Sequence, residues 1–318
     1  MNTTNADAAA DEATPIEGII VVDKPVGPTS FDVVFKLRKS LKTKSIGHCG
    51  TLDPLASGVV VCCVGRYTKL VRFLTSDDKR YVADVTFGFS TPSLDLETEA
   101  SEHGDVNVVT EEALRAALAS WRGVVQQVPP LHSALQKDGV RLYHRARQGH
   151  DVEVEPRDVV IHHLELLSYT APTATIACHV GKGFFVRSLA RDLGRAVGCP
   201  AHLSALRRTD SGGYTLDDAV SLDVARDAAL APALLKRGRQ ALRGVTQVEI
   251  SQAQATALRH GLRPETDLPL QQEVLACRDD QICAVVDVRA DVGEDPAKDA
   301  RADVVVGGPH RLVSVRGF

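Results

Sequence analysis

The chain has 318 residues, 44% hydrophobic and 25% charged, which is enough for one large globular domain and a small one. No apolar run reaches the roughly 18 residues of a membrane-spanning helix. The formal charge of −4, from 37 Lys and Arg against 41 Asp and Glu, argues against a generally basic nucleic-acid binder.

Residues 1–17 are rich in Ala, Asp and Thr and hold neither a basic residue nor an apolar stretch. They read as a disordered tail, not a targeting peptide, and the chain reads as cytoplasmic. Residues 18–22 form an apolar β-run that enters Asp23-Lys24-Pro25-Val26-Gly27-Pro28-Thr29-Ser30, a loop stiffened by two prolines. Ser30 is the expected N-cap of a helix over 31–41 that buries Phe31, Val34 and Leu41, with Lys39 and Lys42 at its negative end.

Next comes Gly47-His48-Cys49-Gly50-Thr51-Leu52-Asp53-Pro54-Leu55-Ala56-Ser57-Gly58, where three glycines and a proline frame one carboxylate. Glycine permits positive φ and close backbone approach, and Pro54 biases Asp53 toward extended geometry. The β-branched run 59–64 then reads as a buried strand, so Asp53 sits on a shaped loop leading into the core. Taken alone, an Asp before Pro is more often a turn former.

A helix to Leu74 is expected before the strand 79–88, whose alternation puts Tyr81, Ala83, Val85 and Phe87 on one face. Thr110 caps a helix whose stripe is Leu114, Leu118 and Trp121, ended by Gly123. Residues 127–149 follow, with Gln127-Val128-Pro129-Pro130-Leu131-His132-Ser133 at their start. Strands are expected at 159–167 and 174–180, the second ending at Gly181-Lys182-Gly183-Phe184-Phe185-Val186-Arg187-Ser188. From there a helix to about Val197 buries Val186, Leu189, Ala190, Leu193 and Val197. Arg187, Arg191 and Arg195 lie four apart on its flank, by default a solvated stripe. An Ala/Leu-rich helical connection runs to about Arg243, and short β-like pieces at 274–277, 282–288 and 304–306 follow, the last two parted by an acidic insertion at 291–303.

Charge is segregated along the chain. Residues 1–17 and 84–112 carry acids with no Lys or Arg, while basic residues gather at Lys36, Arg38, Lys39, Lys42 and Lys44 and again from Lys182 to Arg208. Such a chain can present one positive face despite its negative total. The seven cysteines form no C-x-x-C pair, and Cys277 and Cys283 are too far apart for a zinc knuckle. Buried free thiols and no metal are expected.

The loop around Asp53 and the blocks after it, in this order, resemble the bacterial tRNA pseudouridine-55 synthases of the TruB family over roughly residues 18–214. The resemblance implies an α+β catalytic domain over 18–243 on a mixed, mostly antiparallel sheet, with a small PUA-like β domain over 245–318. It makes Asp53 the nucleophile and pairs it with Arg187. It lays Tyr81 against the target base, with a part in moving its proton, and brings the backbone of Leu206 to the base. Lys24 packs against the catalytic loop and, with Lys182, Arg207 and Arg208, belongs to the residues that bind the RNA substrate. Four features depart from the family pattern. Phe185 and His132 replace Tyr, Gln136 replaces Lys, and in the loop 91–95 only Thr91 and Asp95 align.

The implied reaction breaks the ribose–N1 bond of uridine, turns the base and rejoins it through a ring carbon. It needs no redox change and no water, so no cofactor is expected. One carboxylate can attack ribose or base, or act as a base on the sugar. It needs a cationic partner to stay charged in a pocket, which suits Arg187. The uridine must leave its stack, so aromatic walls such as Tyr81 and Phe185 are expected, with His48 against the displaced nucleotide. The expected partner is the T-arm stem-loop of tRNA, with no membrane and no obligate protein partner. The competing readings are a non-catalytic RNA-folding protein, which would not need Asp53 and Arg187 intact, and a glycosidase, which would need a second carboxylate beside Asp53.

Overall fold

The computed structural model describes residues 15–75, 78–133, 136–137, 140–141, 154–290 and 310–317. The acidic insertion, the strand expected at 304–306 and most of the block 134–153 lie outside the described residues.

In chain order the main elements are β1 (Gly18–Lys24), α1 (Ser30–Ser40), β2 (Ala56–Val64), β3 (Lys79–Phe87), α2 (Glu111–Ser120), β4 (Gly123–Gln127), β5 (Arg157–Thr170), β6 (Thr173–Val180), α3 (Val186–Val197) and β7 (Ala201–Ser211). They build one mixed sheet in the order β1-β2-β7-β3-β6-β5-β4, with the two-residue strand Val220–Ser221 outside β1. Most pairings are antiparallel; β2 runs parallel to β7, and Val220–Ser221 parallel to β1. The chain then makes β8 (Gln247–Glu249), α4 (Gln252–Arg259), β9 (Glu265–Thr266), β10 (Gln271–Arg278), β11 (Gln281–Ala290) and β12 (His310–Gly317), a second sheet ordered β8-β10-β11-β12-β9.

The unbroken apolar run of β2 has a physical cause. Val60, Cys62 and Val64 pack with Val34, Leu37 and the rest of the core under α1 and α3. Val59, Val61 and Cys63 face the other way, onto Tyr67, Leu70, Leu74 and Tyr214 and onto Leu275, Cys277 and Val285 of the second sheet. A strand covered on both faces has no polar side to show. The second sheet keeps a core of its own around Leu258, Val274, Val286 and Leu312.

Several expectations are corrected. Thr29, not Ser30, caps α1 in a capping box with Asp32; Val34 and Leu41 are buried as expected, and Val33 and Leu37 join them. Phe31 is 59% exposed instead of core. The Ala/Leu-rich connection is no long helix: it holds the single turn Leu222–Ala225 and 3₁₀ turns at Ala231–Leu234 and Arg239–Ala241. Pro232, Gly238 and Gly244 interrupt it, and Ile19 and Lys236 tie it to β1 by mutual backbone bonds. Glu17, expected in the tail, forms a bidentate pair with Arg66 at 2.5–2.6 Å. Six of the cysteines are buried and all seven are free, with Cys283 half-buried.

Candidate active site

The loop before β2 is held by donors reaching it from four directions. Lys24, fully buried, donates its Nζ to the carbonyls of Pro25, Pro28 and Ala56 at 2.5–2.9 Å. Arg208, 1% exposed, donates to Gly50, Thr51 and Val59 carbonyls at 2.6–3.2 Å. The Ser30 hydroxyl accepts from the Leu52 N–H at 2.8 Å and donates to the Leu52 carbonyl at 3.2 Å. Gly27 N–H meets the Pro54 carbonyl and Ala56 N–H that of Asp53. Every carbonyl from Gly50 to Pro54, and that of Ala56, is thereby satisfied, which fixes the backbone that carries Asp53. Two glycines allow this. Gly50 (φ +130°) lies beside the Arg208 guanidinium, and a Cβ on Gly58 (φ +110°) would sit 2.1 Å from the Arg208 carbonyl oxygen.

Lys24 and Arg208, expected toward RNA, therefore spend their donors on the protein's own backbone. Burial pulls the Lys24 ammonium down to about 8, against the opposing pull of Asp53. Lys24→Met leaves three carbonyls without their donor. It is expected to lower the unfolding free energy by about 1–3 kcal/mol while leaving RNA affinity nearly unchanged. Denaturant unfolding and a filter-binding titration check this, and tenfold weaker RNA binding at unchanged stability would return Lys24 to the substrate surface.

Asp53 opens onto a pocket of about 500 Å³, a volume that suits one nucleotide. Arg187, in the first turn of α3, reaches it with Nε 3.0 Å from Asp53 Oδ2. The same guanidinium places Nη1 3.3 Å from Asp95 Oδ2 and donates to the Ser93 carbonyl at 3.1 Å. Arg187 is only 6% exposed, so the solvated-stripe expectation fails for it; Arg191 instead donates to the Val128 carbonyl, and Arg195 is exposed. Burial pushes the Asp53 carboxyl above its ordinary range; Arg187 opposes this, and the negative charges of Asp95 and Glu97 add to it. One guanidinium thus faces two carboxylates at the pocket.

The walls are Tyr81 from β3, Phe184 and Phe185 ahead of α3, and Leu206 from β7. Leu206 pairs with Ala56 on one side and Ala83 on the other, which sets it beside the loop. Tyr81 is buried, and its hydroxyl meets Arg208; burial keeps it a phenol, above the usual tyrosine range. Gln127 clamps the backbone of Phe185, accepting from its N–H at 2.9 Å and donating to its carbonyl at 3.2 Å. Lys182 is exposed, and Arg207 is 41% exposed and paired with Asp23 at 2.8 Å. His48 does not line this pocket: it stands behind the loop against the Gly50 backbone, its ring held down by burial and by Arg208.

Two family models match adjoining stretches of the chain, together residues 38–264. The TruB family pseudouridylate synthase N-terminal domain matches residues 38–186, and the tRNA pseudouridylate synthase B C-terminal domain matches residues 187–264. The chain belongs to the TruB family of pseudouridylate synthases. It is 40% identical to tRNA pseudouridine synthase B of Deinococcus radiodurans over 85% of this chain and 95% of that one. Identity to the Bordetella avium enzyme of the same name is 44%, over 66% and 86% of the two chains. Among solved structures, a chain of a Cbf5-Nop10-Gar1 complex superimposes with a TM-score of 0.69 at 23% identity, covering 99% of this chain and 90% of that one; the likeness establishes the shared fold.

In this TruB chain the sequence aligns Asp95 with the family loop but assigns it no role, and it gives no sign of Gln127. Asp95 is 3% exposed, held by Thr91 Oγ1 on its carbonyl at 2.6 Å and by the Glu97 N–H on its carboxylate at 2.9 Å. Its alignment in the loop 91–95 is the signal that points to it. Gln127 carried none, since its partner lies 58 residues away.

Proposed function

We propose that this chain is a tRNA pseudouridine-55 synthase, which isomerises one uridine of the T-arm loop to pseudouridine. The observation that carries the reading is the Arg187–Asp53 pair at 3.0 Å, facing a nucleotide-sized pocket with aromatic walls. The flipped uridine stacks on Tyr81 and Phe185, each such contact contributing about 1–3 kcal/mol per base. The ionised Asp53 carboxylate acts on the ribose or the base; the C1′–N1 bond breaks, the base turns, and the C1′–C5 bond forms. The proton on C5 leaves and N1 gains one, so the product is an isomer and no co-reactant enters. Arg187 keeps Asp53 charged, Tyr81 supplies a wall and a hydroxyl at the proton-transfer end, and Leu206 closes the side beside the loop. Residues 18–243 form the catalytic domain, and 245–318 a small β domain that adds RNA contact. The enzyme works on tRNA in the cytoplasm.

A T-arm stem-loop transcript incubated with the protein, then treated with carbodiimide and reverse transcribed, should show a single new stop at uridine 55. Stops at other uridines, or none, would overturn the assignment.

RNA binding is expected to weaken with salt despite the negative net charge, because phosphate neutralisation releases counterions. Of the four basic residues expected at the RNA, Lys24 and Arg208 are buried and Arg207 is paired with Asp23, whereas Lys182 is exposed. Lys182→Ala should flatten the log–log salt slope by about 0.7–0.9, as the loss of one phosphate contact requires. A slope unchanged by the substitution would remove Lys182 from the interface.

A further inference from the structure

We propose that Asp78, His162 and His179 form a surface site for a zinc-class divalent cation, with two imidazole nitrogens and one carboxylate oxygen as ligands and water completing the shell. One Asp78 oxygen lies 3.0 Å from His162 Nε2 and 3.7 Å from His179 Nε2. The two rings are 4.6 Å apart between centroids, and one ligand atom from each residue falls within 4.8 Å of the others. With Zn–N and Zn–O bonds near 2.0–2.2 Å, ligand atoms around a tetrahedral centre lie roughly 3.3–3.5 Å apart. The observed separations straddle that spacing.

The fold builds this convergence from three strands. His162 is the extra residue of a β-bulge in β5, since Ile161 pairs with Val180 and His163 with His179. The bulge turns His162 and His163 outward together, while Ile161 and Leu164 stay buried. Asp78 immediately precedes β3, and its backbone carbonyl is anchored by the Gly212 N–H at 3.0 Å. Charged neighbours are Arg80, beside His179, and Asp210; His163 turns instead to Glu165 at 3.6 Å.

The site lies away from the pocket. Tyr81 pairs with Cys178, both in the core beneath the helices, whereas His179 pairs with Arg80 on the opposite face of the sheet. A cation there would staple the start of β3 to β5 and β6. The absence of a metal expected from the sequence rested on cysteine spacing, which cannot report a site assembled across strands.

The test uses the full-length chain, free of any purification tag and stripped with EDTA. Zn²⁺ is titrated in competition with a chromophoric chelator, and Co²⁺ is added separately for its visible spectrum. The expected result is one Zn²⁺ per chain, with at least roughly tenfold weaker affinity in both His162→Ala and Asp78→Asn, since even outer-shell losses cost that much. Both variants should keep the wild-type circular dichroism spectrum and uridine isomerisation, and Zn²⁺ should raise the melting temperature of the wild type alone. The Co²⁺ spectrum should lack a thiolate charge-transfer band, which would mark Cys283 or another cysteine as the ligand. No Zn²⁺ bound, affinity equal in all three proteins, or a thiolate band would each overturn the proposal and leave the two imidazoles as plain surface neighbours of Asp78.

Discussion

Asp53→Asn is expected to abolish uridine isomerisation, lowering the single-turnover rate by on the order of 10⁴-fold or more. The substitution keeps volume and shape but removes the anionic oxygen that acts on the nucleotide. RNA affinity should stay within a few fold, because the loop backbone is held by Lys24, Arg208 and Ser30 and not by the carboxylate. Stability should hold or rise. Burial leaves the Asp53 carboxyl above its ordinary range, so the folded state favours the neutral form. At neutral pH the ionised group therefore opposes folding, and a neutral amide relieves that cost. Arg187 keeps Asp95 as its partner. Residual turnover within a hundredfold of wild type would rule out Asp53 as the reacting group, and a fallen melting temperature would make the loss one of folding.

Arg187→Met is the second large effect, and it combines two losses. It strands Asp95, 3% exposed, beside Asp53 with no cation between them. Breaking a buried pair from one side costs about 3–5 kcal/mol, which denaturant unfolding will register. The same change removes the charge that opposes the upward shift of Asp53. With that opposition gone the carboxyl rises further, so the acid limb of the single-turnover rate moves to higher pH. Activity, present where Asp53 is ionised, is then lost earlier as pH falls. Arg187→Lys restores the charge without the fork that spans Asp53, Asp95 and the Ser93 carbonyl, and should recover only part of either property. A pH profile with an unmoved acid limb in Arg187→Met would dissociate the guanidinium from Asp53.

The sequence made the loop around Asp53 and the strands beside it legible, because glycines, prolines and two-residue alternation act locally. Tyr81, Val85 and Phe87 face the core as their spacing requires. What it hid depended on distant partners. Arg208 follows Arg207 in a basic pair that reads as an RNA surface, yet the register of β7 on β2 turns it inward onto carbonyls about 150 residues earlier. Arg187 belongs by periodicity to a solvated stripe. Only the acidic loop holding Ser93 and Asp95, 94 residues away for Ser93, makes its burial affordable. Ser30 looked like a cap because caps and loop clamps use the same hydroxyl. In the fold Thr29 takes the helix, and Ser30 takes Leu52.

The central claim is that the site moves the glycosidic bond of one T-loop uridine from N1 to C5. That bond displaces the hydrogen on C5, so a T-arm stem-loop transcript carrying tritium at C5 of its uridines reports the event directly. Under single-turnover conditions, with no added cofactor, the wild-type protein should release one tritium to water per RNA and Asp53→Asn none. No release by the wild type, release from more than one uridine, or equal release by the variant would contradict the account.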